Sequence, residues 1–115
     1  MHELTSKELV ELEWGDAQFY GFHWVEGSKE PTLVIHIQPC NSSVMGLVCP
    51  WATELSVLLN YNIKNQVGPL LTLEVKFEQK GGELWEIYID LAGHGYVSFI
   101  GRKMFVRTFS DNENA

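Results

Sequence analysis

The residues best suited to chemistry are concentrated in one stretch, VIHIQPCNSSVMGLVCPW, at residues 34–51. It contains His36 and both cysteines of the chain, Cys40 and Cys49, which are residue types that bind metals or act as nucleophiles. A structural zinc site needs four ligands, commonly from close cysteine pairs, and this stretch supplies three at the wrong spacing. A catalytic cysteine needs a base and a group that stabilises its thiolate, and neither accompanies these cysteines. We therefore predict no metal, no cofactor and no catalytic residue.

The same stretch predicts a β-hairpin, with strands at 32–38 and 44–51 joined by the turn CNSS. In that register Cys49 lies opposite Ile35 or His36. At the usual rise of about 3.3 Å per residue, five strand steps separate the two cysteines by roughly 16 Å. A disulfide requires Cα atoms within about 7 Å, so we expect two free thiols that behave as small apolar residues in or near the core.

Most of the remaining chain alternates between apolar and polar residues with the period of a β-strand. Beyond the hairpin, strands are predicted at 17–25, 69–79, 83–91, 96–100 and 103–109. Three short turns join the last four into a meander, whose inner face includes Leu71, Leu73, Val75 and Phe77 on one strand and Trp85, Ile87, Ile89 and Leu91 on the next.

Two segments depart from this pattern. In TSKELVELEW (5–14), Thr5 and Glu8 have the spacing of a capping box, which predicts a short N-terminal helix. Residues 52–63 fit either a helical turn followed by a strand or a strand throughout. The fold class is therefore mainly β, with about seven antiparallel strands in a curved sheet that closes as a barrel or a sandwich. We predict one domain at 1–109 and a disordered tail at 110–115.

Composition excludes several classes of protein. Fifteen Asp and Glu against eight Lys and Arg give a net charge of −7, which argues against nucleic acids and anionic membranes as partners. The chain has no apolar run long enough to span a bilayer, and the acidic residues near its start are unlike a signal peptide. We expect a cytoplasmic bacterial protein. The negative charge permits a basic protein partner. The alternative explanation is that the charge only keeps a small domain soluble.

The strands at 69–79 and 83–91 carry acidic residues on the face opposite to their apolar one. Lys76 and Lys80 dilute this charge. If the face binds a basic protein, the partner-binding residues are Glu74, Glu78, Glu83, Glu86, Tyr88 and Asp90. A plain solvated sheet face explains the pattern as well.

Three other interpretations stay open. A curved sheet encloses a small-ligand pocket lined by Phe19, Phe22, Trp24, Trp51 and Trp85. Alternatively, the chain is an enzyme that pairs His94 or His23 with a carboxylate such as Asp16 or Asp90. Exposed strand edges also permit a homo-oligomer.

The order of segments resembles the immunity protein fifty family and its relatives, which are small bacterial proteins associated with polymorphic toxin loci. The resemblance rests on WGDAQFYGFHW (14–24), TLVIHI (32–37) and the terminal LLTLEVKF…ELWEIYIDLAGHGYVSFIGRKMFV (70–106). Gly15 stands where the family has His, Ile100-Gly101 replaces a late Cys, and residues 40–65 have no counterpart. The resemblance implies a non-enzymatic protein that neutralises a toxin by surface occlusion.

Overall fold

The computed structural model describes residues 2–5, 7–8, 14–27, 29–40, 42–60 and 70–108. These residues form ten β-strands: β1 (His2–Glu3), β2 (Gln18–Trp24), β3 (Thr32–Gln38), β4 (Met45–Pro50), β5 (Thr53–Leu59), β6 (Leu70–Leu71), β7 (Glu74–Gly81), β8 (Leu84–Asp90), β9 (Gly95–Gly101) and β10 (Phe105–Thr108). A 3-10 turn, Ala92–His94, precedes β9. The mainly β, antiparallel fold class is confirmed, with more strands than the seven predicted because short segments pair at the sheet margins.

The described strands form two antiparallel sheets. The six-stranded sheet has the order β1-β10-β4-β3-β2-β6, and the four-stranded sheet has the order β5-β9-β8-β7. One apolar cluster draws residues from both sheets, so the architecture is a sandwich and not a closed barrel.

Alternating apolar residues of the central strands fill the space between the sheets. Ile35 and Ile37 of β3 belong to the same buried cluster as Ile87 and Ile89 of β8, and each is 1% exposed or less. Burial of a side chain of this size stabilises the fold by about 1.5–3 kcal/mol. The predicted inner face of β8 is confirmed, with Trp85 partly buried at its margin.

The segment predicted as one strand at 69–79 is divided between the two sheets, and half of its predicted inner face is wrong. Leu71 is 51% exposed and Leu73 is 61% exposed, whereas Leu70 and Thr72 are buried. Strand β6 pairs with β2 of the six-stranded sheet, while β7 pairs with β8 of the four-stranded sheet. The alternation therefore restarts where the chain passes from one sheet to the other.

Backbone hydrogen bonds mark that passage. The amide of Thr72 donates to the carbonyl of Ala17, next to β2, and the amide of Leu73 donates to the carbonyl of Asp90, at the end of β8. The buried Thr72 hydroxyl donates to the carbonyl of Trp14. Thr72 can therefore lie on the core side without a buried, unsatisfied hydroxyl group.

The predicted four-stranded meander is confirmed for β7, β8 and β9 and is wrong for the last strand. Strand β10 pairs with β4 and β1 in the six-stranded sheet. The connection 102–104 carries the chain across the sandwich instead of reversing it, and Met104 enters the core there. The pair Gly101-Arg102 was predicted as a tight turn between neighbouring strands, but β10 pairs with β4 of the other sheet.

Three smaller predictions concern the segments outside the meander. Residues 53–59 form a strand, which resolves the ambiguity in that range, and residues 61–63 lie outside the described chain.

The capping box is confirmed, because the Thr5 amide donates to Glu8 Oε1 at 3.1 Å and the Glu8 amide donates to Thr5 Oγ1 at 3.2 Å. The rest of the predicted helix, residues 9–13, and the predicted tail at 110–115 lie outside the described residues. Among the helical residues that are described, none forms an apolar helix of the length that crosses a bilayer.

Candidate functional site

Residues of β7 and β8 alternate so that their polar side chains share the outer face of the four-stranded sheet. The antiparallel register sets Glu74 opposite Asp90, Lys76 opposite Tyr88, and Glu78 opposite Glu86. Directly opposite side chains in such a pair lie about 5 Å apart at Cβ. The structure therefore brings five of the six predicted partner-binding residues together on one surface, which we call the acidic face.

An open depression of about 330 Å³ lies on this surface. It is lined by Lys76, Glu78, Glu86, Tyr88 and Asp90. The sixth predicted residue, Glu83, lies apart from it at the exposed turn between β7 and β8, where it borders a separate depression.

Lysines offset part of the negative charge on the acidic face. Lys80 Nζ lies 3.4 Å from the Glu78 carboxylate and 3.2 Å from that of Glu86. Its hydrogen bond to Glu86, followed by the charge of Glu78, raises the pKa of Lys80. Two carboxylates directly opposite each other repel, and the Lys80 ammonium beside both of them reduces that repulsion.

The carboxylate of Asp90 is placed differently. Its Oδ1 accepts a hydrogen bond from the amide of Ala92 at 2.9 Å, which holds the side chain against the 3-10 turn. Lys76 pairs with Glu74 at 3.4 Å, and no described lysine or arginine pairs with Asp90. This end of the face thus keeps an uncompensated negative charge.

Two tyrosines stack at the centre of the sheet. The rings of Tyr88 and Tyr96 have centroids 5.4 Å apart and planes inclined by 15°. The Tyr96 hydroxyl lies 3.1 Å from the hydroxyl of Ser56 on β5. Tyr96 is therefore held by Tyr88 on one neighbouring strand and by Ser56 on the other. Offset stacking of this kind contributes about 0.5–1.5 kcal/mol beyond burial.

Sequence reasoning missed Tyr96 and Ser56. The alternation of YVSFI indicated that Tyr96 and Ser98 share a face, because Val97 and Phe99 lie in the core. Their closeness to Tyr88 depends on the β8–β9 register, in which Tyr88 lies opposite Ser98.

Charge is distributed unequally between the two sheets. Strands β2, β3, β4, β6 and β10 contain no Asp or Glu, whereas the strands of the four-stranded sheet carry Glu54, Glu74, Glu78, Glu86 and Asp90. Only the two-residue β1 adds a carboxylate, Glu3, to a strand of the other sheet. Apart from Glu3, the acidic residues in the described strands therefore belong to the four-stranded sheet.

The five residues of the predicted ligand pocket lie in different surroundings. Phe19 is fully buried in the core, against which Phe22 and Trp85 pack. Trp24 is 44% exposed and Trp51 is 51% exposed. Trp51 and Trp85 line two separate depressions of about 270 and 300 Å³.

The two histidines considered as catalytic residues form hydrogen bonds with groups other than carboxylates. His94 Nδ1 lies 2.9 Å from the carbonyl oxygen of Asn60, and His23 Nδ1 lies 2.6 Å from His36 Nε2. Asp16 is exposed in a turn. Neither histidine is thus hydrogen-bonded to Asp16 or Asp90 in the described part of the chain.

The cysteine-containing stretch folds as the predicted hairpin with a longer loop. Cys49 lies opposite Leu33, not opposite Ile35 or His36, because residues 39–44 rather than CNSS alone join the strands. Both thiols are free; Cys40 is exposed and Cys49 is buried. Burial raises the pKa of Cys49 to about 12, which keeps it protonated and unreactive. No group of three or more His, Cys, Asp or Glu side chains among the described residues is arranged to hold a metal.

Compared with protein-family models, with curated proteins and with solved structures, the chain matches none of them.

Proposed function

We propose that this chain is a protein-binding module that presents its acidic face to a basic protein. The observation that carries the proposal is the concentration of strand carboxylates on one sheet, around a stacked pair of tyrosines. Aromatic anchors flanked by charge are typical of binding surfaces. Charge complementarity then steers the partner and fixes its orientation.

Solubility alone accounts less well for this arrangement. A net charge of a few units keeps a small domain soluble wherever the charges lie, so it does not require them on a single sheet. Nor does it require Tyr88 and Tyr96 to be held in place by Ser56. A surface that combines rigid aromatic rings with Asp90, whose charge is uncompensated, is better suited to contact a cationic partner.

The partner that we propose is a toxin, which the chain neutralises by covering its functional surface. Support comes from the sequence motifs that resemble the immunity protein fifty family and from the net charge of −7. In this proposal the chain is not an enzyme, because occlusion needs only a complementary surface.

Charge reversal on the acidic face tests the binding surface. The double variant Glu74→Lys/Glu86→Lys puts opposite charges into the cross-strand pairs with Asp90 and Glu78. It also removes the carboxylates that Lys76 and Lys80 pair with, but these ion pairs are solvent-exposed and contribute little to stability, so the fold should be retained. The matched control, Glu26→Lys/Glu30→Lys, changes the net charge equally in the loop between β2 and β3. An oligoarginine peptide serves as the probe, with amide chemical shifts and affinity measured by NMR at physiological salt.

We expect shifts confined to β7, β8 and β9 and an affinity reduced at least tenfold in the first variant but not in the control. Equal weakening in both variants, or shifts spread over both sheets, would refute the acidic face as the binding surface. The toxin proposal has a separate test, in which a basic protein encoded next to this chain's gene arrests growth when expressed alone. Failure of the chain to restore growth, or the absence of such a toxic neighbour, refutes neutralisation.

A further inference from the structure

Strand β5 forms one margin of the four-stranded sheet. It pairs with β9 on one side, and among the described strands no other strand pairs with it. Val57 is 39% exposed and Leu58 is 50% exposed, so apolar side chains on both faces of this strand reach solvent. Strand β5 is thus an open edge of the kind on which a further strand can pair.

The opposite margin of the same sheet is built differently. Strand β7 carries Glu74, Lys76, Glu78 and Lys80 along its length, and charged side chains on an edge strand oppose pairing with another chain. In β5 only Glu54 is charged, and the residues that follow it, LSVLL, are all uncharged. One margin of the sheet is therefore protected against pairing by its charges, and the other is not.

The register of β5 with β9 shows which backbone groups face the open side. The amide of Asn60 donates to the carbonyl of His94 at 2.7 Å, and Leu58 follows in the same register two residues earlier. Hydrogen-bonded pairs alternate with non-hydrogen-bonded pairs in an antiparallel ladder. Leu58 therefore directs its backbone groups toward β9, whereas Val57 and Leu59 direct theirs toward the open side.

We propose that β5 pairs antiparallel with β5 of a second copy of this chain, about a two-fold axis at Val57. The outward-facing backbone groups of Val57 then meet those of their symmetry mate, and such a pair exchanges two hydrogen bonds. The contact is isologous, so it closes as a dimer and joins two four-stranded sheets into one continuous sheet. The acidic face of each copy, on β7 and β8, stays open.

The side chains on the core side of β5 match each other in this pairing. Val57 lies opposite the buried Val97 of β9, and Leu55 and Leu59 pack against the margin of the core. In the dimer, Val57 meets its symmetry mate and Leu55 meets Leu59 of the partner subunit. The apolar cluster therefore continues across the interface, where burial contributes about 25 cal/mol per Å² of apolar surface.

The charge at this edge does not oppose the dimer. In the proposed register Glu54 lies three positions from the axis, so the two Glu54 residues are about 20 Å apart at the usual rise per residue. This distance is more than twice the Debye length of about 8 Å at physiological salt. A single pair of strands is a small interface, and we therefore expect a dimer that dissociates on dilution.

Sedimentation velocity of the full chain over a series of concentrations measures the dimer. Val57→Lys sets two like charges directly opposite each other at the axis, which destabilises a strand pair. Leu71→Lys is the matched control, because it makes the same change of charge at an apolar residue that is 51% exposed on the other sheet. We expect the dissociation constant to rise at least tenfold in Val57→Lys and to stay unchanged in Leu71→Lys.

A disulfide cross-link tests the register without an added charge. The background is Cys40→Ser, which removes the exposed native thiol. Val57→Cys then sets two thiols at the axis with Cα atoms about 5.5 Å apart, within the range of a disulfide. Thr53→Cys, on the same strand, sets them roughly 27 Å apart. Under mild oxidation we expect a covalent dimer from Val57→Cys and none from Thr53→Cys.

Three results would overturn the proposal. The first is a chain that stays monomeric up to about 1 mM. The second is equal dimerisation of Val57→Lys and Leu71→Lys, which would place the interface elsewhere. The third is cross-linking of Thr53→Cys as readily as Val57→Cys, which would exclude the two-fold axis at Val57.

Discussion

Replacement of Gly95 by alanine should strongly destabilise the fold. Gly95 begins β9, lies opposite Leu59 of β5 and has φ 117° and ψ −147°. An added Cβ would overlap the carbonyl oxygen of Leu58 and lie 2.7 Å from its carbonyl carbon. Both contacts are to backbone, so no side-chain rotation relieves them.

The expected loss follows from two costs that the structure shows separately. A side chain in this glycine-specific region of backbone conformation costs about 1–3 kcal/mol. Forcing β5 away from β9 adds about 1–3 kcal/mol, as in other overpacked sites. The sum, about 2–6 kcal/mol, is a large part of the 5–15 kcal/mol that stabilises a typical domain. At about 4 °C per kcal/mol, the melting temperature should fall by at least 8 °C.

Urea unfolding followed by tryptophan fluorescence measures this difference. Gly93→Ala is the matched control, because an added Cβ there has no neighbour within 4 Å, and we expect it to change stability by less than about 0.5 kcal/mol. Equal stability of Gly95→Ala and Gly93→Ala would refute the account of the β5–β9 contact. The Gly95 variant should also weaken the Ser56–Tyr96 hydrogen bond, which holds the tyrosine pair.

Further predictions concern charge, thiols and pH. Lys80→Gln should increase the affinity of the acidic face for oligoarginine, measured by NMR titration, because it exposes the charges of Glu78 and Glu86 that Lys80 pairs with; an unchanged or lower affinity contradicts this. A thiol reagent at neutral pH should modify one cysteine, Cys40, in the native chain and two in denaturant, because Cys49 is buried and its pKa is raised to about 12. Since the folded-state pKa of His36 is lowered, the unfolded chain binds that proton more readily. The free energy of unfolding should therefore fall as the pH drops below about 6.5, and His36→Gln should flatten this dependence in urea unfolding series; an identical slope in the variant contradicts it.

Local patterns predicted the parts of the fold in which neighbouring residues decide the outcome. The inner face of β8 follows from strict alternation, and the capping box of Thr5 and Glu8 follows from their spacing. The same logic placed Glu74, Glu78, Glu86, Tyr88 and Asp90 on one face, since hairpin strands with a short turn have a defined register. Such features need only contacts close in sequence.

Other parts depended on where the chain crosses between sheets. The apolar alternation of residues 69–79 continues past Thr72, yet the chain changes sheets there, so Leu71 and Leu73 point to solvent. The turn before β10 looked like a hairpin, but its strand pairs with β4. Sequence period does not encode such a crossing, because in the first half of the segment the buried positions are Leu70 and Thr72, and the apolar residues Leu71 and Leu73 do not mark the inner face.

The sequence by itself determined that this protein is an acidic, mainly β chain with an alternating acidic and aromatic strand pair. Only the tertiary structure decided that Glu54 of β5 joins the other strand carboxylates in the same sheet, that Tyr96 stacks on Tyr88, and that His23 meets His36. Periodicity sets which side of a strand a residue occupies. The pairing of strands distant in sequence sets which side chains become neighbours, and that pairing depends on burial of the whole core at once.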